Sequence, residues 1–447
     1  MGWAMPEVNA THDPERRSWI ESANLPGADF PLQNLPHGVF RRPGEAWRGG
    51  IAIGDAILDM AAAVEAGLFV GIPAEAARAA AEPALNRLMG MGNATASALR
   101  ARVSEVLRAD APGAARHAAL APRILVPMAE AEMRLPCRVG AFTDFLTSTF
   151  HTERGGRRTR PDNPLPPAFK HLPIAYNSRA TSVRVSGEAV RRPNGQTQGP
   201  DGGVRFGPCE ALDFELEVGL FVGPGNPLGE PVAIGAAPEH IWGYCLLNDW
   251  SARDVQRWES FPLGPFLSKS LSTTISPWVV TAEAMAPFAA PAFPRAAGDP
   301  APLPYVACPR DQAEGLMDLA LEALLLTPRM REEGAAPARI ARTNFRNMYW
   351  TFAQMVTHHM SNGCNLQPGD LLGSGTASGP EDESRACLAE ITEGRSPLAL
   401  PNGETRLWLE DGDEIIFSGR AEKPGFASIG FGECRGRIDP APAWPWA

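Results

Sequence analysis

The stretch Leu212-Asp213-Phe214-Glu215-Leu216-Glu217-Val218 constrains the fold of this chain more than any other. Extended backbone sends successive side chains to opposite faces, so Asp213, Glu215 and Glu217 share one face and the apolar residues share the other. One reading is an amphipathic strand with a wet face. The other is a buried cation site, because acids are poor strand formers and neighbouring carboxylates repel unless positive charge lies between them. The pattern alone leaves both open.

Two further acids sit in similar positions. Asp249 closes the apolar run Tyr244-Cys245-Leu246-Leu247 where a strand would give way to a helix, so Asp249 or Ser251 either caps that helix or Asp249 ligates a metal. Phe142 to His151 supplies Asp144 and, seven residues later, His151, which taken alone reads as an ordinary loop histidine. Hard oxygen donors from separate strands suit calcium or magnesium without any His or Cys. His358 and His359, adjacent on an expected helix, point to different sides and read as structural.

Several classes are disfavoured. A net charge of -10 argues against a nucleic-acid partner and means that an anionic substrate needs local cations. The cysteines at 137, 209, 245, 308, 364, 387 and 434 never form the close pairs of a zinc site and fit reduced thiols in a cytosol. Met1 to Asn9 holds Glu7 and lacks a signal peptide's apolar core, and an apolar run of 18 residues that could span a membrane is missing. The Gly-rich runs at 223–226 and 373–376 lack the lysine of a phosphate loop and the spacing of a dinucleotide site.

At 447 residues the chain has room for two or three domains. Residues 1–40 read mostly as loop, and Gly50 to Asp59 as strand, turn and strand. Pro73 to Arg108 shows a helical period in two pieces, broken at Gly90 to Gly92, and a first domain closes near residue 130. Buried strands are expected at Arg123 to Pro127, Leu212 to Val222, Ile241 to Leu247, Trp278 to Val280 and Leu319 to Leu326. Asn402-Gly403 and Asp411-Gly412 mark hairpin turns, whereas 191–207 and 285–303 read as loops.

Taken together, a series of strings resembles the fumarylacetoacetase family. They are Thr143-Asp144-Phe145 through His151, His171-Leu172-Pro173 to Arg179, Val185-Ser186-Gly187 to Gln196, Glu215-Leu216-Glu217, Phe221 to Asn226, Asn248 to Gln256, Pro262 to Ser270, Ser374 to Glu381 and Asp411 to Glu414. They run in order over about two-thirds of the chain; Phe30 to Pro36 and Ile53-Gly54-Asp55 match more loosely. The resemblance implies a mainly β chain with some α: a small SH3-like barrel at 1–132, then a β-rich roll at 133–447 that carries catalysis. It also implies a cytoplasmic homodimer that hydrolyses a carbon-carbon bond in a small diketo acid, fumarylacetoacetate, at the end of tyrosine and phenylalanine breakdown.

By the same resemblance Asp144, Glu215, Glu217 and Asp249 hold one Mg2+ or Ca2+, with Lys269 and Thr273 beside it. His151 is the base and Glu390 orients it; Arg253, Gln256 and Lys269 steady the oxyanion and the departing carbanion; Arg160, Tyr176, Gln256 and Thr376 touch substrate. The chain departs from the family pattern at Leu146 and Ser260, where Tyr is usual, and at Ser272, where Gly is usual. Those changes leave the substrate less constrained than the reaction. The rival readings are an acylpyruvate hydrolase, a decarboxylase or hydratase with the same acidic cage, and a catalytically silent metal-binding protein.

Overall fold

The computed structural model describes residues 5–445, apart from the side chains at 158 and 159; positions 1–4 and 446–447, the outer ends of the two expected domains, lie outside the described residues. The N-terminal unit is a five-stranded antiparallel sheet in the order Leu125–Pro127, Ala56–Asp59, Arg48–Ile53, His37–Arg41, Glu132–Arg134. The expected strand, turn and strand at 50–59 is its centre, turned at Gly54 with φ +58°. Between Ala56–Asp59 and Leu125–Pro127 the chain makes six short helices. The helical stretch expected in two pieces comes in three, Ile72–Ala80, Asn86–Gly90 and Asn93–Leu107. Pro83, which lacks an amide hydrogen, falls in the added break. The strand expected from Arg123 begins only at Leu125, after the helical turn Ala121–Ile124.

The larger unit is built on an eight-stranded sheet in the order Ile174–Ser178, Phe142–Leu146, Leu371–Gly373, Leu216–Val222, Ile241–Asp249, Thr273–Ile275, Val183–Val185, with Val280–Thr281 added beside Ile241–Asp249. A second sheet, Ala338–Asn344, Ala320–Leu326, Glu414–Ala421, Ile429–Asp439 and Val190–Arg191, packs against one face through Val218, Leu220, Leu246, Leu321 and Phe417. The N-terminal unit covers the opposite face, where Phe221, Trp242, Leu247 and Leu371 join Ile51, Leu58, Leu99 and Val103 in one core. The central strands are therefore buried on both sides, which is why their sequences read as continuous apolar runs.

Four local expectations change. The strand from Leu212 to Val222 is interrupted at Phe214 and Glu215, and Leu212–Asp213 pairs instead with Ser251–Ala252. Near Trp278 only Val280–Thr281 is a strand. The segment 191–207, read as loop for its Gly and Pro, is largely a hairpin of Asn194–Gln198 with Val204–Pro208, its glycines concentrated in the turn. Asn402-Gly403 does turn a hairpin, with Gly403 at φ +84°. Asp411-Gly412 does not: it leads into Glu414–Ala421, whose partners are Ala320–Leu326 and Ile429–Asp439.

Candidate metal centre and active site

Three strands of the large sheet, two of them flanking Leu371–Gly373, each bring one acid to the same place. Asp144 lies opposite Gly373 in a parallel pair, Glu217 sits on the next strand, and Asp249 ends the one after, paired with Thr273. Glu215 joins them from the interruption before Leu216. All four are buried, and each offers an oxygen within 4.8 Å of the others. A Cβ at position 373 would stand 2.5 Å from Asp144 Oδ1 and 3.1 Å from Glu217 Oε2, so glycine is what leaves the carboxylates their space.

This burial removes the wet-face reading of the acidic strand. The helix-cap reading of Asp249 and Ser251 fails as well, because the helix Arg253–Glu259 starts at Ala252 without a side-chain cap. Asp213, expected on the same face as Glu215 and Glu217, turns elsewhere. It accepts from Arg253 Nε at 2.8 Å and from the amides of Leu388 (2.7 Å) and Ala389 (3.0 Å).

Among the described residues, cations meet the acidic cluster at Glu215 and Asp249. Lys269 Nζ bonds Glu215 Oε2 and, at 2.7 Å, Asp249 Oδ2; Arg253 Nη2 stands 2.8 Å from Glu215 Oε1. Burial opposes the Glu215 charge, yet Lys269, Arg253 and His151 together hold that carboxyl well below the usual range. Asp144 and Glu217 are pushed the other way, by burial first and then by Asp249 on Asp144 and Asp144 on Glu217. Their oxygens Asp144 Oδ1 and Glu217 Oε1 are buried without a hydrogen-bond partner.

The Tyr176 hydroxyl lies 2.8 Å from Asp144 Oδ2 and 2.9 Å from Asp249 Oδ2, but its single hydrogen serves only one of them. Thr273 Oγ1 donates to Asp249 Oδ1 at 3.2 Å. Orphaned hard oxygens and uncompensated negative charge at one spot are what a divalent cation of the Mg2+ or Ca2+ kind satisfies.

Next to this cluster His151 stands on a helix, Thr149–Thr159, rather than in a loop; Ser148 caps the helix by accepting from the His151 amide at 3.2 Å. His151 Nδ1 is 2.6 Å from Glu390 Oε1, and Nε2 faces the acids, 3.9 Å from Glu215 Oε1. Glu390, on the short helix Leu388–Ile391, also accepts from Ser378 Oγ at 2.6 Å and from Arg154 Nη1 at 2.9 Å. Burial alone would raise its pKa; His151, Ser378 and Arg154 outweigh burial and bring it down to about 2. Cys387 is close by, but burial and then Glu390 push its thiol up, so it stays neutral.

A pocket of about 330 Å³ opens between the base and the acids. Asp144, His151, Tyr176, Glu215, Glu217, Arg253, Gln256, Lys269 and Thr376 line it, with Leu146, Ile174 and Leu263 forming an apolar wall. Glu390, Asp249 and Thr273 lie in contact with these residues. Arg160 is the expected residue that does not arrive: it is exposed and donates to the Pro164 carbonyl at 3.0 Å. Ser260 ends the helix Arg253–Glu259 with its hydroxyl on the Gln256 carbonyl, and Ser272 is buried. His358 and His359 bond Tyr305 and Thr143. Sequence reasoning missed Arg154 and the true partners of Asp213; for Arg154 the available signal was its place one turn after His151 on the same helix face.

Comparison with known proteins gives two family models, "Fumarylacetoacetate (FAA) hydrolase C-terminal" over residues 141–439 and "Fumarylacetoacetase N-terminal" over residues 33–136. Among curated relatives, fumarylacetoacetase of Oryza sativa subsp. japonica is 46% identical over 95% of this chain and 97% of its own. The Bos taurus and Homo sapiens fumarylacetoacetases are 46% and 44% identical, each over 93% of this chain and 97% of theirs.

Proposed function

Because this chain belongs to the fumarylacetoacetate hydrolase family, we propose that it works as a fumarylacetoacetase, cleaving a carbon-carbon bond of fumarylacetoacetate with water to give fumarate and acetoacetate. The observation that carries this reading is the orientation of His151. Its Nδ1 is tied to Glu390 and its Nε2 is turned into a pocket floored by four buried carboxylates.

Asp144, Glu215, Glu217 and Asp249 would hold a divalent cation, which would supply Lewis-acid charge stabilisation at the diketo end of the substrate. His151 Nε2 takes a proton from water, and the water oxygen bonds to the carbonyl carbon beside the bond to be broken. Glu390 keeps the proton of the neutral imidazole on Nδ1 and stabilises the imidazolium that forms. When the carbonyl re-forms, the carbon-carbon bond breaks, its electron pair leaves as the acetoacetate enolate, and a proton returns to that carbon.

Lys269 has three ammonium hydrogens and spends two on Glu215 and Asp249, which leaves one for the oxyanion. Gln256 accepts from Arg253 through Oε1 at 3.1 Å, so its amide nitrogen is set to donate into the pocket. Thr376 supplies a hydroxyl to bound substrate, and Tyr176 lines the pocket beside it, free to donate to substrate only when a cation relieves it of the acids. Arg160 takes the distal carboxylate only if the segment that carries it swings inward. Leu146 in the wall supports a second reading, a diketo acid with an apolar acyl end such as an acylpyruvate.

Beyond the reaction, the proposal includes Mg2+ or Ca2+ as the cation, a cytoplasmic homodimer, a role in tyrosine and phenylalanine catabolism, and a division into an N-terminal domain at 1–132, SH3-like by family, and a catalytic domain at 133–447. The matches at 33–136 and 141–439 support that division. The test is the loss of fumarylacetoacetate absorbance with purified protein, with either cation and after chelation, for the wild type and His151→Ala. Metal-dependent turnover that the substitution abolishes supports the reading; turnover unchanged by it removes His151 from the mechanism.

A further inference from the structure

Glu390 is held from both sides. Oε1 meets His151 and Ser378, while Oε2 meets Arg154 Nη1 at 2.9 Å. The same guanidinium donates through Nη2 to the Pro380 carbonyl at 3.0 Å. One planar fork therefore ties the carboxylate to the Ser378–Pro380 turn, and that turn also supplies the hydroxyl on the other oxygen. Arg154 follows His151 by three residues on Thr149–Thr159, so one helix face carries both the base and the clamp on its partner. Arg154 and Glu390 both border a cleft of about 450 Å³, which Arg157, Arg385, Glu393 and Arg395 complete.

We propose that Arg154 is a positioning residue for the hydrolytic reaction: by gripping Glu390 Oε2 it fixes the angle at which Oε1 meets His151, and so where Nε2 points. The inference rests on the His151–Glu390 reading given above. Arg154 does not line the substrate pocket and pairs with none of the four clustered acids, so its effect reaches the base through Glu390 and the Ser378–Pro380 stretch that also holds Glu390. A lysine ammonium would have to serve Glu390 and the Pro380 carbonyl from a single nitrogen, whereas Arg154 meets them with two nitrogens of one rigid group and so fixes their relative positions. Without the fork the carboxylate is free to rotate away from Nδ1 and to admit water from the cleft.

The test compares Arg154→Ala and Arg154→Lys with wild type and His151→Ala in the fumarylacetoacetate assay, with and without added guanidinium chloride at low millimolar concentration. The expected result is a kcat fall on the order of 10²-fold in Arg154→Ala, as for a misaimed catalytic group, with KM within about twofold. Arg154→Lys recovers only part of the loss. Guanidinium, small enough to enter the cleft from solvent, raises kcat of Arg154→Ala several-fold and leaves His151→Ala unchanged. Calorimetric titration of the cation should give the same affinity in Arg154→Ala as in wild type.

Full activity of Arg154→Ala beside an inactive His151→Ala overturns this inference and leaves the function standing; so does a loss that appears in KM or that guanidinium fails to restore in folded protein. A wild type without turnover sinks the function itself. If Arg154→Ala does not fold, Arg154→Lys decides: wild-type kcat there overturns the inference.

Discussion

His151 and Glu390 meet at 2.6 Å although 239 positions separate them, one at the start of a long helix and the other in a single helical turn. Glu390→Gln keeps the shape of that contact but removes the charge that supports a protonated imidazole. We expect kcat to fall by about 10²- to 10⁴-fold with KM nearly unchanged. Steady-state kinetics at saturating cation check it; a loss under threefold would exclude Glu390 from the dyad.

Asp213 and Arg253 form a buried pair that also fastens the start of the helix carrying Glu390. Asp213→Ala leaves Arg253 with one carboxylate partner fewer and the amides of Leu388 and Ala389 without their acceptor, so it should lose on the order of 3 kcal/mol of unfolding free energy. Glu215 still holds Arg253, so some native protein persists for measurement. Urea unfolding followed by tryptophan fluorescence is the assay.

The orphaned oxygens Asp144 Oδ1 and Glu217 Oε1 imply that a cation stabilises the folded chain as well as serving the reaction. Mg2+ or Ca2+ at 100 times its dissociation constant should add about 2.7 kcal/mol and raise Tm; a chelator should reverse both effects. Equal Tm with and without cation would count against the site. Asp144→Asn should remove most of the cation-dependent shift.

Of the departures from the family pattern, the structure puts only Leu146 on the pocket wall. Leu146→Tyr should therefore lower KM for fumarylacetoacetate about threefold to tenfold, the worth of one hydrogen bond of about 0.5–1.5 kcal/mol. Ser260→Tyr alone should change it by less than about twofold. The reverse order of effects would show that the loop after the Arg253–Glu259 helix reaches the substrate.

Asp311, which does not line the pocket, is buried and accepts from Thr351 at 2.7 Å; burial raises its pKa to about 6 from 3.8. The folded state then holds a proton that the unfolded state has released. Stability from this group is complete below about pH 3.8 and is lost as pH rises through about 6. Asp311→Asn should be more stable than wild type at pH 7.5, by at most about 3 kcal/mol, and the gap should close near pH 4. Thermal melts across that range decide it.

The acids of the metal centre were legible because carboxylates inside apolar strand runs have few alternatives to a cation, and because the family strings name the same positions. What stayed hidden is informative. Strand periodicity placed Asp213 with Glu215 and Glu217, and only the break at Phe214 and Glu215 sends it to Arg253 instead. Periodicity assumes continuous strands, and the break follows from contacts with residues far along the chain. The hairpin 194–208 was masked by the glycine and proline of its own turn. Arg154 lies in a polar, arginine-rich helix, where its place three residues after His151 was the one local sign separating a clamp from a solvated charge. Arg160, named by resemblance, shows the opposite limit: a matching string fixes an identity and leaves the side chain's direction to the packing around it.

The N-terminal unit shares its core with Phe142, Phe221, Trp242, Leu247 and Leu371 of the large sheet. During synthesis the cover of that apolar face is not complete until the chain has grown past Leu371. At about 5–20 residues per second the wait lasts on the order of tens of seconds. The nascent protein therefore passes through a long stage in which its first third is sticky and incomplete, and its yield in a cell depends on what shields that surface before the last strands arrive.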